Sequence, residues 1–146
     1  MKIGIPTKGL AARWGDERYK KLKELGFSTV DFGLGSTEIE PYTLDEEAFV
    51  RFLANEKALA DEAGIEIFQV HGPWRWPCHD ETEEDRAERM EMMKLSIRAS
   101  ALLGCKNWIV HPIMPFGIHD IPLGKSEETW NLNIKFMTEL VKTARE

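Results

Sequence analysis

Two histidines carry the clearest chemical signal in the sequence. His71 and His111 each close a short apolar run, and each is followed by proline, as His71-Gly72-Pro73 and His111-Pro112. Imidazole can ligate a metal, move a proton or hydrogen-bond a hydroxyl near neutral pH. On the first of these runs Gln69 and His71 share a face; on the second Ile109 and His111 do. If those faces meet the same interior, neighbouring strands bring the two rings together. The alternative is a pair of hydrogen-bonded core histidines. Asp31, in an earlier run, is a third candidate for the same interior. The segments after the two histidine runs, 72–80 and 113–125, are long and stiffened by proline, and binding residues concentrate in such loops. Trp74, Trp76 and Phe116 could stack on the apolar face of a sugar, and Arg75 could meet a carboxylate or phosphate. Trp14, after the first run, is a candidate on the same grounds. These aromatics could equally cover one end of the fold or form a subunit contact.

Other features invite chemistry less. The run Asp80-Glu81-Thr82-Glu83-Glu84-Asp85 reads as a helix start with solvated charges. Met90, Met92 and Met93 read as packing. Cys78 beside His79 lacks a paired C-x-x-C, which argues against a zinc knuckle. No phosphate-binding loop, nucleophile elbow or kinase signature is present. The net charge of −6 over 146 residues opposes nucleic-acid binding, which favours a clustered positive excess. No apolar run has the length of a membrane span, and the N-terminus does not resemble a signal peptide. Two cysteines far apart suit free thiols in a reducing cytoplasm.

Those side chains must be positioned by regular elements. Four runs have strand length and composition: 2–6, 29–34, 65–71 and 107–111. Helical spacing lies between them. A first short helix is marked by Tyr19, Leu22 and Leu25. A second has Phe49, Phe52, Leu53, Ala60 and Ala63 on one face; a third has Met90, Met93, Ile97 and Ala101. The last has Trp130, Ile134, Met137 and Val141. Gly26, Gly64 and Gly104 fall where a helix ends in the left-handed conformation. Thr43-Leu44-Asp45-Glu46 fits a capping box, and Ser126 before Glu127 and Glu128 fits an N-cap. Strands alternating with helices imply parallel pairing with right-handed crossovers. The segment after the first run, Thr7-Lys8-Gly9-Leu10, is not a dinucleotide fingerprint. Polar residues ending two strands suit the mouth of a barrel better. The expected architecture is therefore a single α/β domain over 1–146, a parallel (β/α)4 half of a TIM barrel. A second copy or further C-terminal sequence would complete it.

Three stretches carry a family resemblance: Gly-Phe-Ser-Thr-Val-Asp-Phe at 26–32, His71-Gly-Pro, and Gly-Cys-Lys-Asn-Trp-Ile-Val-His-Pro at 104–112. They resemble the N-terminal half of the xylose isomerase-like TIM-barrel superfamily. That group holds sugar and sugar-phosphate isomerases and epimerases and the endonuclease IV type of repair nuclease. The resemblance implies that His71 and His111 lie in the substrate pocket, as metal ligands in the nuclease branch. It implies a divalent metal (Mn, Mg, Zn or Co) in a full member. Asp31 stands where the second strand often ends in Glu. The family's Glu of strand five and the Asp, His and Glu of strands six to eight have no counterpart, since Arg145-Glu146 falls where strand five would begin. Four readings follow: an inactive half of a sugar isomerase or epimerase; a homodimer of half-barrels binding a sugar or small metabolite, with four histidines at one mouth; a nuclease fragment; and a non-catalytic sugar-binding module.

Overall fold

A computed structural model describes residues 1–34, 42–74, 80–116 and 122–146. Arg75, Trp76, Cys78, His79, His119 and Asp120 lie outside those residues. Strand β1 spans Gly4–Pro6, β2 Thr29–Gly33, β3 Glu66–His71 and β4 Trp108–Ile109. Between β1 and β2 come helix α1 (Leu10–Trp14), a 3-10 turn (Gly15–Glu17) and α2 (Arg18–Glu24). Helix α3 (Glu46–Ala63) links β2 to β3, α4 (Glu83–Leu102) links β3 to β4, and α5 (Ser126–Thr143) follows β4. The strands form one sheet in the order β1-β2-β3-β4, every pair parallel. This is the (β/α)4 half of a TIM barrel. No helix among the described residues is long and apolar enough to cross a membrane.

Alternation along the strands divides the side chains between two faces. Val30 and Phe32 of β2 and Ile67 and Val70 of β3 are buried in the main core, with Leu53 and Ala60 of α3 and Tyr19 and Leu22 of α2. A second core joins Met93 and Ile97 of α4 to Phe136 and Leu140 of α5 and to Ile113 beyond β4. The opposite face of the sheet carries an open groove. Pro6, Asp31, Phe68 and Gln69 line a groove of about 440 Å³ there, and Phe68 is 48% exposed.

One irregularity decides where His71 points. The β2–β3 register runs Val30 with Ile67, then Asp31 with Gln69, so Phe68 is an extra residue in β3. Plain alternation would put His71 on the same face as Ile67, in the core. The bulge reverses the phase, so Phe68 and Gln69 both line the groove and His71 comes level with Gly33 on the face of Asp31.

The glycines at 26, 64 and 104 have φ of 90°, 63° and 69°, the left-handed geometry the helix ends require. Several expected details differ. The N-cap of α3 is Asp45, whose carboxylate accepts from Ala48 N at 2.8 Å, rather than Thr43. Ser126 is already inside α5, and its N-cap Lys125 makes no side-chain cap. The capping box lies instead at Thr82 and Asp85 of α4. Leu25 lies beyond α2 and is 64% exposed, and Ala101 is exposed. Helix α5 packs through Phe136 and Leu140, while Trp130, Ile134 and Val141 stay in solvent. Asp80 is not solvated: it is fully buried against Arg89, which is 1% exposed.

Candidate functional site

Asp31, His71 and His111 meet at the carboxyl end of the sheet, where barrel proteins keep their chemistry. His71 Nδ1 lies 3.0 Å from Asp31 Oδ2, and His71 Nε2 lies 2.9 Å from His111 Nε2. The two rings are tilted by 34° with centroids 5.0 Å apart. Trp74 stacks on His111 at 5.7 Å and 29°.

Hydrogen-bond roles follow from the acceptor at one end. The Asp31 carboxylate accepts, so His71 donates through Nδ1–H. A neutral His71 then holds a lone pair on Nε2, which accepts from His111 Nε2–H. That leaves His111 Nδ1 as an acceptor with no partner among the described residues. Burial, and after it the electrostatic influence of neighbouring His71 and Arg89, lower the His111 pKa from its ordinary 6.5. His111 is therefore neutral at pH 7, as the chain of bonds requires.

The backbone around each ring is pinned. Thr7 N–H donates to Asp31 O at 2.9 Å, and Gly33 N–H donates to Thr7 Oγ1 at 2.9 Å. Leu34 N–H donates to His71 O at 3.0 Å, and Gly72 N–H to Ile109 O at 2.9 Å. Glycine is required at 72: a Cβ there would sit 2.7 Å from Ile109 O and 2.9 Å from the Trp108 ring. The segment after β4 is clamped from two helices. Arg89 of α4 donates to the carbonyls of His111 and Pro112, each at 3.2 Å, and pairs with Asp80. Asp80 Oδ2 also accepts from Met114 N at 2.8 Å. Asn133 of α5 bonds both backbone groups of Ile113, at 2.8 and 2.9 Å.

Other expected residues stand apart from this cluster. Trp14 ends α1, packs on the main core and carries the Arg13 guanidinium over its ring at 5.0 Å. Phe116 is capped by Lys125 Nζ, 5.0 Å from its ring. Arg75 and Trp76 fall outside the described residues. Cys105 is a free, buried thiol whose pKa burial pushes up, so it is not a ready nucleophile. The residues missed in the sequence are Arg89, Asp80, Asn133 and Thr7. Each acts through backbone groups, which leave no signature in residue type.

The donor set can be tested against a divalent metal. Two imidazole nitrogens on one ion, each at about 2.0–2.1 Å, are separated by roughly 3 Å when they subtend a right angle. The 2.9 Å between the two Nε2 atoms fits that right-angle spacing and is shorter than the roughly 3.3 Å a tetrahedral ion requires, and Asp31 behind His71 is the usual outer-shell carboxylate. Yet no group of three or more His, Cys, Asp or Glu among the described residues could hold an ion. A catalytic zinc takes three protein ligands. The described residues therefore do not form a complete metal site.

Comparison with known proteins agrees with the fold. The profile of the xylose isomerase-like TIM barrel matches residues 19–146. The chain belongs to this family. Among solved structures it resembles a sugar phosphate isomerase/epimerase from Parabacteroides distasonis, with 18% identity and a TM-score of 0.62, over 98% of this chain and 48% of the other. It also resembles a provisionally named xylose isomerase from Rhodospirillum rubrum, with 19% identity and a TM-score of 0.73, over 99% of this chain and 50% of the other. No curated protein sequence matches it. This xylose isomerase-like chain thus spans about half the length of the structures it matches, and the likeness to them is one of fold.

Proposed function

We propose that this chain is the substrate-holding N-terminal half of a sugar or sugar-phosphate isomerase or epimerase. By itself it binds such a ligand and does not turn it over. The observation that carries this reading is the hydrogen-bonded series Asp31–His71–His111 at the mouth, flanked by Trp74. It presents an acceptor, His111 Nδ1, to a hydroxyl. A proton taken up there is stabilised through His71 by the Asp31 carboxylate. Trp74 offers an apolar ring for the C–H face of a sugar, as stacking requires.

Aldose–ketose isomerisation and epimerisation remove a proton next to a carbonyl and return it elsewhere, so they need an acid and a base on the same substrate. One side of the mouth supplies a single such series. The carboxylates that the family resemblance assigns to strands five to eight have no counterpart in the 146 residues. That is the reason for expecting binding without catalysis. No step in this reading passes through a metal ion.

Calorimetry with small aldose and ketose phosphates tests the first part, with His111→Ala as the control that abolishes binding. An isomerase assay with Mn2+, Mg2+, Co2+ or Zn2+ tests the second. Absence of any sugar-phosphate binding refutes the site assignment, and sustained turnover by this chain refutes the claim of inactivity.

A further inference from the structure

We propose that two copies of this chain close one eight-stranded barrel about a two-fold axis running along the strands. Strand β4 of each copy pairs with β1 of the other, and one mouth then carries two Asp31–His71–His111 series. The inference rests on the half-barrel reading and names its partner.

The sheet edges are complementary. On β1, Ile3 O accepts from Ser28 N at 3.0 Å and Thr7 N–H donates to Asp31 O, so the main chain of Gly4 and Pro6 faces away from β2. On β4, Asn107 O and Ile109 O accept from Val70 N and Gly72 N, so the main chain of Trp108 and Val110 faces away from β3. The β4 edge therefore offers two outward N–H groups, and the β1 edge offers two outward carbonyls. Pro6 has no N–H, which makes the β1 edge a better acceptor than donor. Open edges of this kind seek a partner.

The side chains repeat the pattern. The concave groove with Phe68 in it corresponds to a barrel interior, which in closed barrels is filled by layers of side chains. Beyond the β4 edge, α5 exposes Trp130 (67%), Ile134 (50%) and Val141 (48%) at helical spacing, while its other side is buried against α4. Nothing among the described residues covers either surface.

A second copy fits this better than an unrelated protein does. Both edges belong to one parallel sheet, and a single two-fold operation covers both of them, both grooves and both α5 stripes. The mouth of a single copy is half a mouth; the partner's His71 and His111 complete it.

Sedimentation equilibrium of the 146-residue chain, with amide hydrogen exchange on the same sample, tests the proposal. The expected mass is twice 16.8 kDa, with the amides of Gly4, Trp108 and Val110 protected. The double variant Trp130→Glu/Ile134→Glu alters only exposed side chains. It is expected to keep its helical circular dichroism, sediment as a monomer and lose protection at those three amides. A wild-type monomer overturns the proposal, and so does a dimer in which those amides exchange freely, since that dimer pairs through some other surface. Sugar-phosphate calorimetry on the same samples separates this inference from the functional one. A dimer with protected edges and no sugar binding leaves closure standing and removes the functional reading. Sugar binding by a monomer does the reverse.

Discussion

The Arg89–Asp80 pair gives the sharpest test of how the site is held. Both side chains are buried, at 1% and 0% exposure, and the pair lies between α4 and the segment carrying His111. Arg89→Met leaves the Asp80 carboxylate buried without its cation and deprives the carbonyls of His111 and Pro112 of their donor. Breaking a buried pair from one side costs about 3–5 kcal/mol. Asp80→Asn keeps an acceptor for Met114 N but removes the charge facing Arg89. It is expected to cost about 3 kcal/mol, at the lower end of the same range. In the double variant neither charge remains, so the loss should fall short of the sum by about 2 kcal/mol, a coupling typical of contacting residues. Urea unfolding at one fixed chain concentration measures all four forms. A total stability of about 5–15 kcal/mol makes losses of this size easy to resolve. Single losses below about 1 kcal/mol, or strict additivity, would refute the argument that this pair is a desolvated clamp. The His111 ring resonances should broaden or shift in both single variants, because its carbonyl is one of the groups released.

Three further outcomes follow from the site. Gly72→Ala should destabilise the fold by on the order of 2 kcal/mol and shift β4, since the new Cβ meets backbone at 2.7 Å; unfolding midpoints and amide shifts at Ile109 check it. Nitrogen NMR at pH 7.5 should find His71 protonated on Nδ1 and bare on Nε2, and Asp31→Asn should mix the tautomers; an Nε2–H form in the wild type contradicts the assigned roles. His111 should titrate below 6.5. Because its folded pKa lies below its unfolded value, its contribution to stability is present above pH 6.5 and is lost as pH falls below that value. The wild type should therefore lose more stability between pH 7.5 and 5.5 than His111→Asn, as read by paired urea titrations.

Much of this arrangement was legible in the sequence, and the gaps have physical causes. The strands were readable because β-branched and aromatic runs of five to seven residues are bounded by glycine or proline. The meeting of His71 and His111 was readable because both close equivalent strands. What periodicity could not give was the choice between two apolar stripes on one helix. In α5, Phe136 and Leu140 recur as regularly as Trp130, Ile134 and Val141, and only the fold says which stripe packs on α4. The bulge at Phe68 was invisible for a related reason: alternation is a local rule, and its phase is reset by pairing with β2. Asp80 was hidden by its neighbours. Glu81, Glu83 and Glu84 are solvated helix-start charges, and nothing in composition separates the one carboxylate that turns inward to Arg89.

The Asp31–His71–His111 series is preorganised. His71 and His111 are fixed by backbone bonds to neighbouring strands and by a buried arginine, so their 2.9 Å approach needs no ligand to form it. The series has two loose ends. One is His111 Nδ1. The other is Asp31 Oδ1, which is buried and has no hydrogen-bond partner among the described residues. An unsatisfied buried acceptor costs about 1–3 kcal/mol. A donor brought by a ligand hydroxyl or by the closing half of the barrel would recover part of that. Under the proposed function, the geometry of binding is set by Asp31, His71 and His111 of this chain, and a second proton-transfer group would approach them across the mouth.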